Sequence, residues 1–304
     1  MVALIQTDDD LKLASQVAAR SFYRFYCGYV HQWRWDPLPH LRLVCEKLEA
    51  VERGEITRLM VFMPPRHGKS MTISETFPSW FIGRNPDRRV IVAAYGESLA
   101  KKFGRKNRQK LEWYGGELWG ITIDPSNSSV TNWTIQGRDG GMIATGRGGA
   151  ITGEGADLLV IDDPIKNREE AESETIREKI WDEWESTLST RLHKGGRVII
   201  ILTRWHEDDL AGRLLAKEGR VEDGGEWHVL SLPAICEDPV NDPLGREEGQ
   251  ALAPDLGYDE EWAEKKRKQV GSYTWGALYQ QSPRPADGNI FKRQWIQFYK
   301  KLPD

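Results

Sequence analysis

An ammonium and a hydroxyl follow a glycine where an apolar run ends: Leu59-Met60-Val61-Phe62-Met63-Pro64-Pro65-Arg66-His67-Gly68-Lys69-Ser70-Met71-Thr72. A buried strand, a tight loop and a helix start in this order suit a polyphosphate, because amides at a helix N-terminus point at the anion. This is the context of a P-loop, although Met63 stands where the pattern GxxxxGK[ST] begins with glycine. Pro64 and Pro65 have no N–H, so the anion nest must come from the amides of Arg66 through Ser70. Lys69 would then bridge the β- and γ-phosphates of ATP, and the Ser70 hydroxyl would ligate Mg²⁺. Arg66 adds positive charge beside the γ-phosphate. The nucleotide-binding candidates are therefore Arg66, His67, Gly68, Lys69, Ser70 and Met71. Upstream, Trp35 and His40 lie where an adenine could stack, and core packing is the competing reading of both.

A second chemistry-bearing run is Ala156-Asp157-Leu158-Leu159-Val160-Ile161-Asp162-Asp163-Pro164. Carboxylates at the C-terminal end of a buried parallel strand sit where ligands bind. Asp162 suits the Walker B role of holding hydrated Mg²⁺. Asp163 occupies the place of the residue that polarises the attacking water, one methylene shorter than the usual glutamate; Glu154, Glu169 and Glu170 are the alternative bases. A third run, Val198 to Leu202, ends in Thr203-Arg204-Trp205-His206, where a small hydroxyl residue could couple phosphate state to movement. Arg147, framed by Gly146, Gly148 and Gly149, is either an arginine finger for a neighbouring subunit or an exposed turn residue. Arg138 is a weaker candidate. His206 with Glu207, Asp208 and Asp209 reads as an acidic helix start rather than a metal site. The basic run Lys101 to Lys110 is either a solvated helix face or a sequence-independent contact to nucleic-acid phosphates.

These groups need a frame. Leu59–Met63, Arg89–Ala94, Leu158–Ile161 and Val198–Leu202 are short apolar runs without polar alternation, which implies strands covered on both faces in a mainly parallel α/β sheet. Helices are expected from Leu11 to about Val30, from His40 to Arg53 (closed by Gly54), and from Glu260 to Val270. Trp33 to Pro39 reads as a loop, Arg168 to Glu185 as a packing helix, and Thr131 to Ile135 as a short alternating piece. Beyond about residue 233 the composition turns to Pro, Gly and charge. That places a boundary between a core at 1–232 and a small lid or linker at 233–304. With 39% hydrophobic and 29% charged residues in a chain of 304, a packed core is expected and wholesale disorder is excluded. The net charge of −4 argues against a uniformly basic coat for nucleic acid, not against a local basic groove. Three separated cysteines exclude a disulfide framework and a cysteine zinc site, and fit a reduced intracellular compartment. No apolar run approaches the ~20 residues a bilayer span needs.

With Met63–Ser70, Leu159–Asn167 and Leu202–His206 in this order, the chain resembles the large terminase subunit of tailed bacteriophages and prophages. The stretch Gln280 to Pro285, with Gly288 to Phe291, is similar to that family's linker after the ATPase domain. The resemblance implies a P-loop NTPase of the additional-strand type that couples Mg²⁺-dependent ATP hydrolysis to moving double-stranded DNA into a procapsid. It places the Walker A pair on Lys69 and Ser70, the Walker B aspartate on Asp162, the catalytic acid on Asp163, the coupling threonine on Thr203 and the trans arginine on Arg147. It also implies portal protein and the small terminase subunit as partners, a homo-oligomeric (pentameric) ring, no membrane, and work in the host cytoplasm. The family's nuclease would follow Asp304 and is not in this sequence. The competing functions are a helicase-like ATPase and an ATP-binding assembly or scaffold protein with little turnover. A helicase would need a second ATPase-like domain, for which the roughly 70 residues after Pro233 are too few. A small-molecule kinase lacks a lid arginine set.

Overall fold

The computed structural model describes residues 7–149, 151 and 153–284. In chain order, three helices come first: α1 (Asp8–Ser21), α2 (Tyr23–Val30) and α3 (Pro39–Arg53). Then follow β1 (Arg58–Phe62), α4 (Lys69–Thr72), α5 (Phe77–Arg84), β2 (Arg89–Ala94) and the long α6 (Glu97–Trp119). Three short strands, β3 (Ile123–Ser128), β4 (Asn132–Ile135) and β5 (Gly141–Gly146), lead to β6 (Ala156–Asp162). The chain continues through α7 (Arg168–Glu172), α8 (Glu174–Glu183), β7 (Leu192–Leu202), α9 (Leu210–Glu218), β8 (His228–Ser231) and α10 (Glu260–Thr274).

The eight strands make one sheet in the order β3-β4-β5-β2-β6-β7-β1-β8. From β5 to β8 every pairing is parallel, and β3 and β4 extend the sheet antiparallel. The order matters for function. Strand β7 is inserted between β1, which feeds the phosphate loop, and β6, which ends in the two aspartates. That insertion defines the additional-strand type of P-loop NTPase fold, and it brings the ends of all three strands level: Phe62 is opposite Leu202 and Asp162 opposite Ile201.

The apolar runs are buried on both faces, as continuous β-branched strands require. Leu59, Val61, Val90, Val92, Leu158, Val160, Ile199 and Ile201 meet the α1–α3, α5 and α6 side. Met60, Phe62, Ile91, Leu159, Ile161, Val198, Ile200 and Leu202 meet the α8 and α9 side. A third, small core of Ala234, Ala263, Trp275, Leu278 and Tyr279 lies in the C-terminal stretch. Gln280 ties that stretch together by bonding both the amide and the carbonyl of Ile235, each at 3.0 Å. Gly288 to Phe291 lie outside the described residues.

Several elements differ from the sequence expectation. The expected helix from Leu11 to Val30 is two, because Phe22 is extended (φ −129°, ψ 128°) between them. Thr7 caps the first, accepting from the Asp10 amide at 3.1 Å. The packing helix over Arg168 to Glu185 is likewise divided at Ser173 and ends in a π-helical turn, Trp184–Leu188. Among the described residues no helix is long and apolar enough to cross a membrane.

Candidate active site

Four polar side chains converge where β1, β7 and β6 end. The Lys69 ammonium, itself buried, donates to both oxygens of Asp163 at 3.1 and 3.0 Å and to the Thr203 hydroxyl at 2.8 Å. Asp163 also accepts the Thr203 amide at 2.7 Å. Its own φ of +43° turns the backbone sharply after β6, a conformation aspartate tolerates better than most residues. The shorter acid therefore suits the bend that returns its carboxylate toward β7.

Asp162 is fully buried beside this group. The Ser70 hydroxyl donates to its Oδ1 at 3.3 Å and the Ser74 hydroxyl donates to its Oδ2. Burial, and then the neighbouring Asp163 charge, push its carboxyl up to about 6, against the pull of Lys69 and the two serines. Ser74 escaped the sequence reading. It lies four residues after Ser70, in the turn that follows α4, where helical spacing does not point to it.

The loop between Met63 and Lys69 is held with unusual care. Arg66 and Gly68 have φ of +69° and +91°. For arginine this costs about 1–2 kcal/mol relative to the right-handed region. Arg66 is exposed, whereas His67 is buried, donates from Nδ1 to the Pro65 carbonyl at 2.9 Å and stacks on Tyr258 with 4.5 Å between centroids. Burial lowers the His67 pKa to about 4, so the ring is neutral near pH 7. His40 donates from Nε2 to the His67 carbonyl at 3.0 Å. Met71, on the first turn of α4, is exposed at 36%.

Other sequence candidates lie elsewhere. Trp35 is buried and donates from its indole nitrogen to Thr72 Oγ1 at 3.0 Å. It supports α4 from below and offers no face for a base to stack on, which corrects its assignment to the cofactor. Glu154 precedes β6 and pairs with Arg89 at 2.7 Å, at the opposite edge of the sheet. A β6 of seven residues separates it from Asp163 by roughly 20 Å, which removes it as a base. Glu170 is bonded to Arg147 at 3.0 and 3.3 Å and to the Lys166 amide at 3.1 Å, while Glu169 on the first turn of α7 is exposed. Arg147 thus has a carboxylate partner in its own chain. Arg204 is locked on Asp209, at 2.6 Å, and Asp209 caps α9 by accepting from the Gly212 amide. His206 and its acids form no metal cluster among the described residues.

The basic run on α6 is divided. Lys110 is buried and donates to the Glu75 carbonyl at 2.8 Å, Lys101 pairs with Glu97 at 2.6 Å and Lys102 with Glu75 at 2.5 Å. Lys101, Lys102 and Arg105 line a cleft of about 800 Å³ with Tyr95 and Val130, beyond the end of β2.

The residues fit a magnesium nucleotide. Such an ion keeps several waters and takes one or two carboxylates plus substrate phosphates rather than a protein cage. Ser70 Oγ and Asp162 Oδ1 lie 3.3 Å apart, and the nearby Lys69 ammonium is bonded to Asp163, which leaves Asp162 without a bonded cation.

Sheet order and site together define a P-loop NTPase fold of the additional-strand type. Residues 60–298 match the family described as terminase large subunit, T4-like-virus type, N-terminal, and the chain belongs to that family. Among solved structures it is similar to the Thermus phage P74-26 large terminase ATPase domain, with a TM-score of 0.51 at 13% identity, over 76% of this chain and 90% of that one. The HK97 bacteriophage large terminase gives 0.49 at 12% identity, over 82% of this chain and 51% of that one. A large terminase from a thermophilic bacteriophage, in complex with ADP, gives 0.43 at 9%, over 87% and 52%. The chain thus spans about half the length of these last two proteins. No curated protein sequence matches it.

Proposed function

We propose that this chain is the ATPase motor of a DNA-packaging terminase, hydrolysing ATP to move double-stranded viral DNA into a procapsid. The observation that carries the reading is the meeting of Lys69, Asp162, Asp163 and Thr203 at three adjacent strand ends. Lys69 and the amides from Arg66 to Ser70 bind the phosphates, with Arg66, His67, Gly68 and Met71 shaping the loop. Ser70 and Asp162 would hold Mg²⁺, which would supply charge neutralisation for the phosphates. When the ammonium turns to a phosphate, Asp163 keeps the Thr203 amide on Oδ1. Its Oδ2 is then free to orient a water and take its proton. Thr203 consequently feels whether Lys69 faces Asp163 or phosphate, which suits a coupling residue.

Family membership supports the remaining expectations: portal protein and the small terminase subunit as partners, a homo-oligomeric ring, action on the procapsid in the host cytoplasm. Arg147 acts in a neighbour's site in this reading, and must first exchange Glu170 for phosphate. Turnover per subunit should then rise with protein concentration; a flat dependence removes the trans role. The main test measures Mg²⁺-dependent ATP turnover, and DNA uptake by portal-bearing procapsids, for the wild type and Lys69→Ala. Loss of both in the variant is expected. Retained turnover in Lys69→Ala would sink the assignment. Binding without turnover in the assembled wild type would favour the scaffold reading, which the engagement of Asp163 by Lys69 suggests.

A further inference from the structure

Two residues of the phosphate loop, Arg66 and Gly68, are left-handed, and only one of them is a glycine. Arg66 bears a Cβ and yet is left-handed, a conformation that persists only where the surroundings over-determine it. The determinants converge on the next residue. His67 is pinned through its ring nitrogen by Pro65, through its carbonyl by His40, and across its face by Tyr258, whose ring is inclined by only 26°. Tyr258 belongs to the C-terminal stretch, just before α10. Trp262 on the first turn of α10 leans on Tyr258 at 4.7 Å and on His67 at 6.0 Å, and continues to Tyr279 at 5.9 Å. The same stretch also touches the other arm of the site, since Trp205, two residues after Thr203, packs against both the α8–α9 core and the C-terminal core. Tyr273 of α10 donates its hydroxyl to Glu172 of α7 at 2.7 Å.

We infer that Tyr258 is a positioning residue for the phosphate loop, acting through His67, so that docking of the C-terminal stretch sets the loop's grip on phosphate. The neutral imidazole makes this a stack of two uncharged rings, insensitive to salt. By linkage, whatever displaces α10 weakens phosphate binding, and a bound phosphate strengthens docking by the same factor. The effect on affinity rests on the nucleotide-site reading above; the effect on the loop itself does not.

The chain of 304 residues tests both. Amide exchange at residues 66–70 should speed up about tenfold in Tyr258→Ala, while β2 amides at 89–94, a fold control, stay at wild-type rates. MANT-ADP should bind about three- to tenfold more weakly, the size of one aromatic pair. KM for ATP should rise more than kcat falls. Tyr258→Phe should restore all three, because the Tyr258 hydroxyl makes no hydrogen bond among the described residues. Should Tyr258→Ala not fold, Tyr258→Leu, which keeps bulk without a ring face, carries the same expectation. Unchanged exchange at 66–70, or a Phe variant no better than Ala, would overturn the inference. A wild type that fails to bind MANT-ADP would instead overturn the nucleotide reading, with the exchange measurement still deciding the role of Tyr258.

Discussion

Strand β6 carries an aspartate near each end, and the sheet puts them to different use. Asp157, at the N-terminal edge, accepts the Arg89 amide at 2.8 Å and faces His193 at 3.3 Å, with the Arg89–Glu154 pair alongside. These groups are partly exposed, each acid has a basic neighbour, and such pairs contribute about 0–1 kcal/mol. Asp162, at the C-terminal edge, is fully buried, and the one ammonium near it is hydrogen-bonded to Asp163 instead. With the Lys69 cation taken by the partly exposed Asp163, the buried Asp162 charge has no cation bonded to it, and burial, then the Asp163 charge, raises its pKa. The comparison teaches that charge alone does not mark the site. Buried charge left over after pairing does, because it calls for a further cation.

The sharpest test of the contrast exchanges the same group at the two ends. Asp162→Asn should cut Mg²⁺-dependent turnover by about 100- to 1000-fold, as loss of an electrostatic anchor at a reacting centre does. Asp157→Asn should leave turnover within about twofold and lower the melting temperature by a few degrees. Equal losses of turnover from the two variants would erase the distinction.

How much of this could be read beforehand follows from the same contrast. The strands β1, β2, β6 and β7 announced themselves because burial on both faces demands unbroken apolar runs. The residues near their ends were legible because Asp162, Asp163 and Thr203 close such runs, while Lys69 and Ser70 follow one after a short loop ending in Gly68. The order of strands was not written locally, whereas the place of Glu154 was, since it precedes the apolar run that ends in Asp162. Strand β3 was invisible for a different reason: Ile123-Asp124-Pro125-Ser126-Asn127-Ser128 is polar, with a proline that only an edge strand accommodates. Tyr258 was hidden by distance, since a ring that stacks on a loop far upstream leaves no mark in its own neighbourhood.

Ser74 sharpens the comparison at the next level of effect. It touches neither the phosphates nor, in the proposed mechanism, the metal, yet it fixes which Asp162 oxygen faces Ser70. Its backbone carbonyl is in turn held by Asn107 of α6 at 2.8 Å. Ser74→Ala should cost about 10-fold in turnover and raise the Mg²⁺ concentration for half-maximal rate, as removal of a ligand's orienting partner does. Ser74→Thr should recover most of it. An alanine variant with an unaltered Mg²⁺ requirement would mean that Asp162 is oriented by Ser70 alone.

Acid separates the two kinds of buried group. His31 and His67 are held near 4 by burial, whereas the unfolded chain protonates them near the ordinary 6.5. Protons therefore favour unfolding, and the stability these rings give above pH 6.5 is lost as pH falls toward 4. Asp162 runs the other way. Its folded pKa of about 6 lies above the ordinary 3.8, so its protonation favours the folded state between those values. Melting temperature should fall from pH 6.5 to 4, and Asp162→Asn should steepen the fall by removing the opposing group. A shallower slope in that variant would contradict the assignment of a raised Asp162.

The smallest expected effect is the most discriminating for the far edge of the sheet. Glu154→Gln removes the charge paired with Arg89, whose side chain remains about 30% exposed and free to hydrate. The amide can still accept one hydrogen bond, so the loss should be under ~1 kcal/mol, with a melting temperature lower by about 1–3 °C. Turnover should match the wild type, since no proton at the phosphate site can reach a group separated from it by the length of β6. A tenfold loss of turnover with an unchanged melting temperature would show that a base at the far end of β6 acts on the site after all, and the division of labour between the two edges would fall.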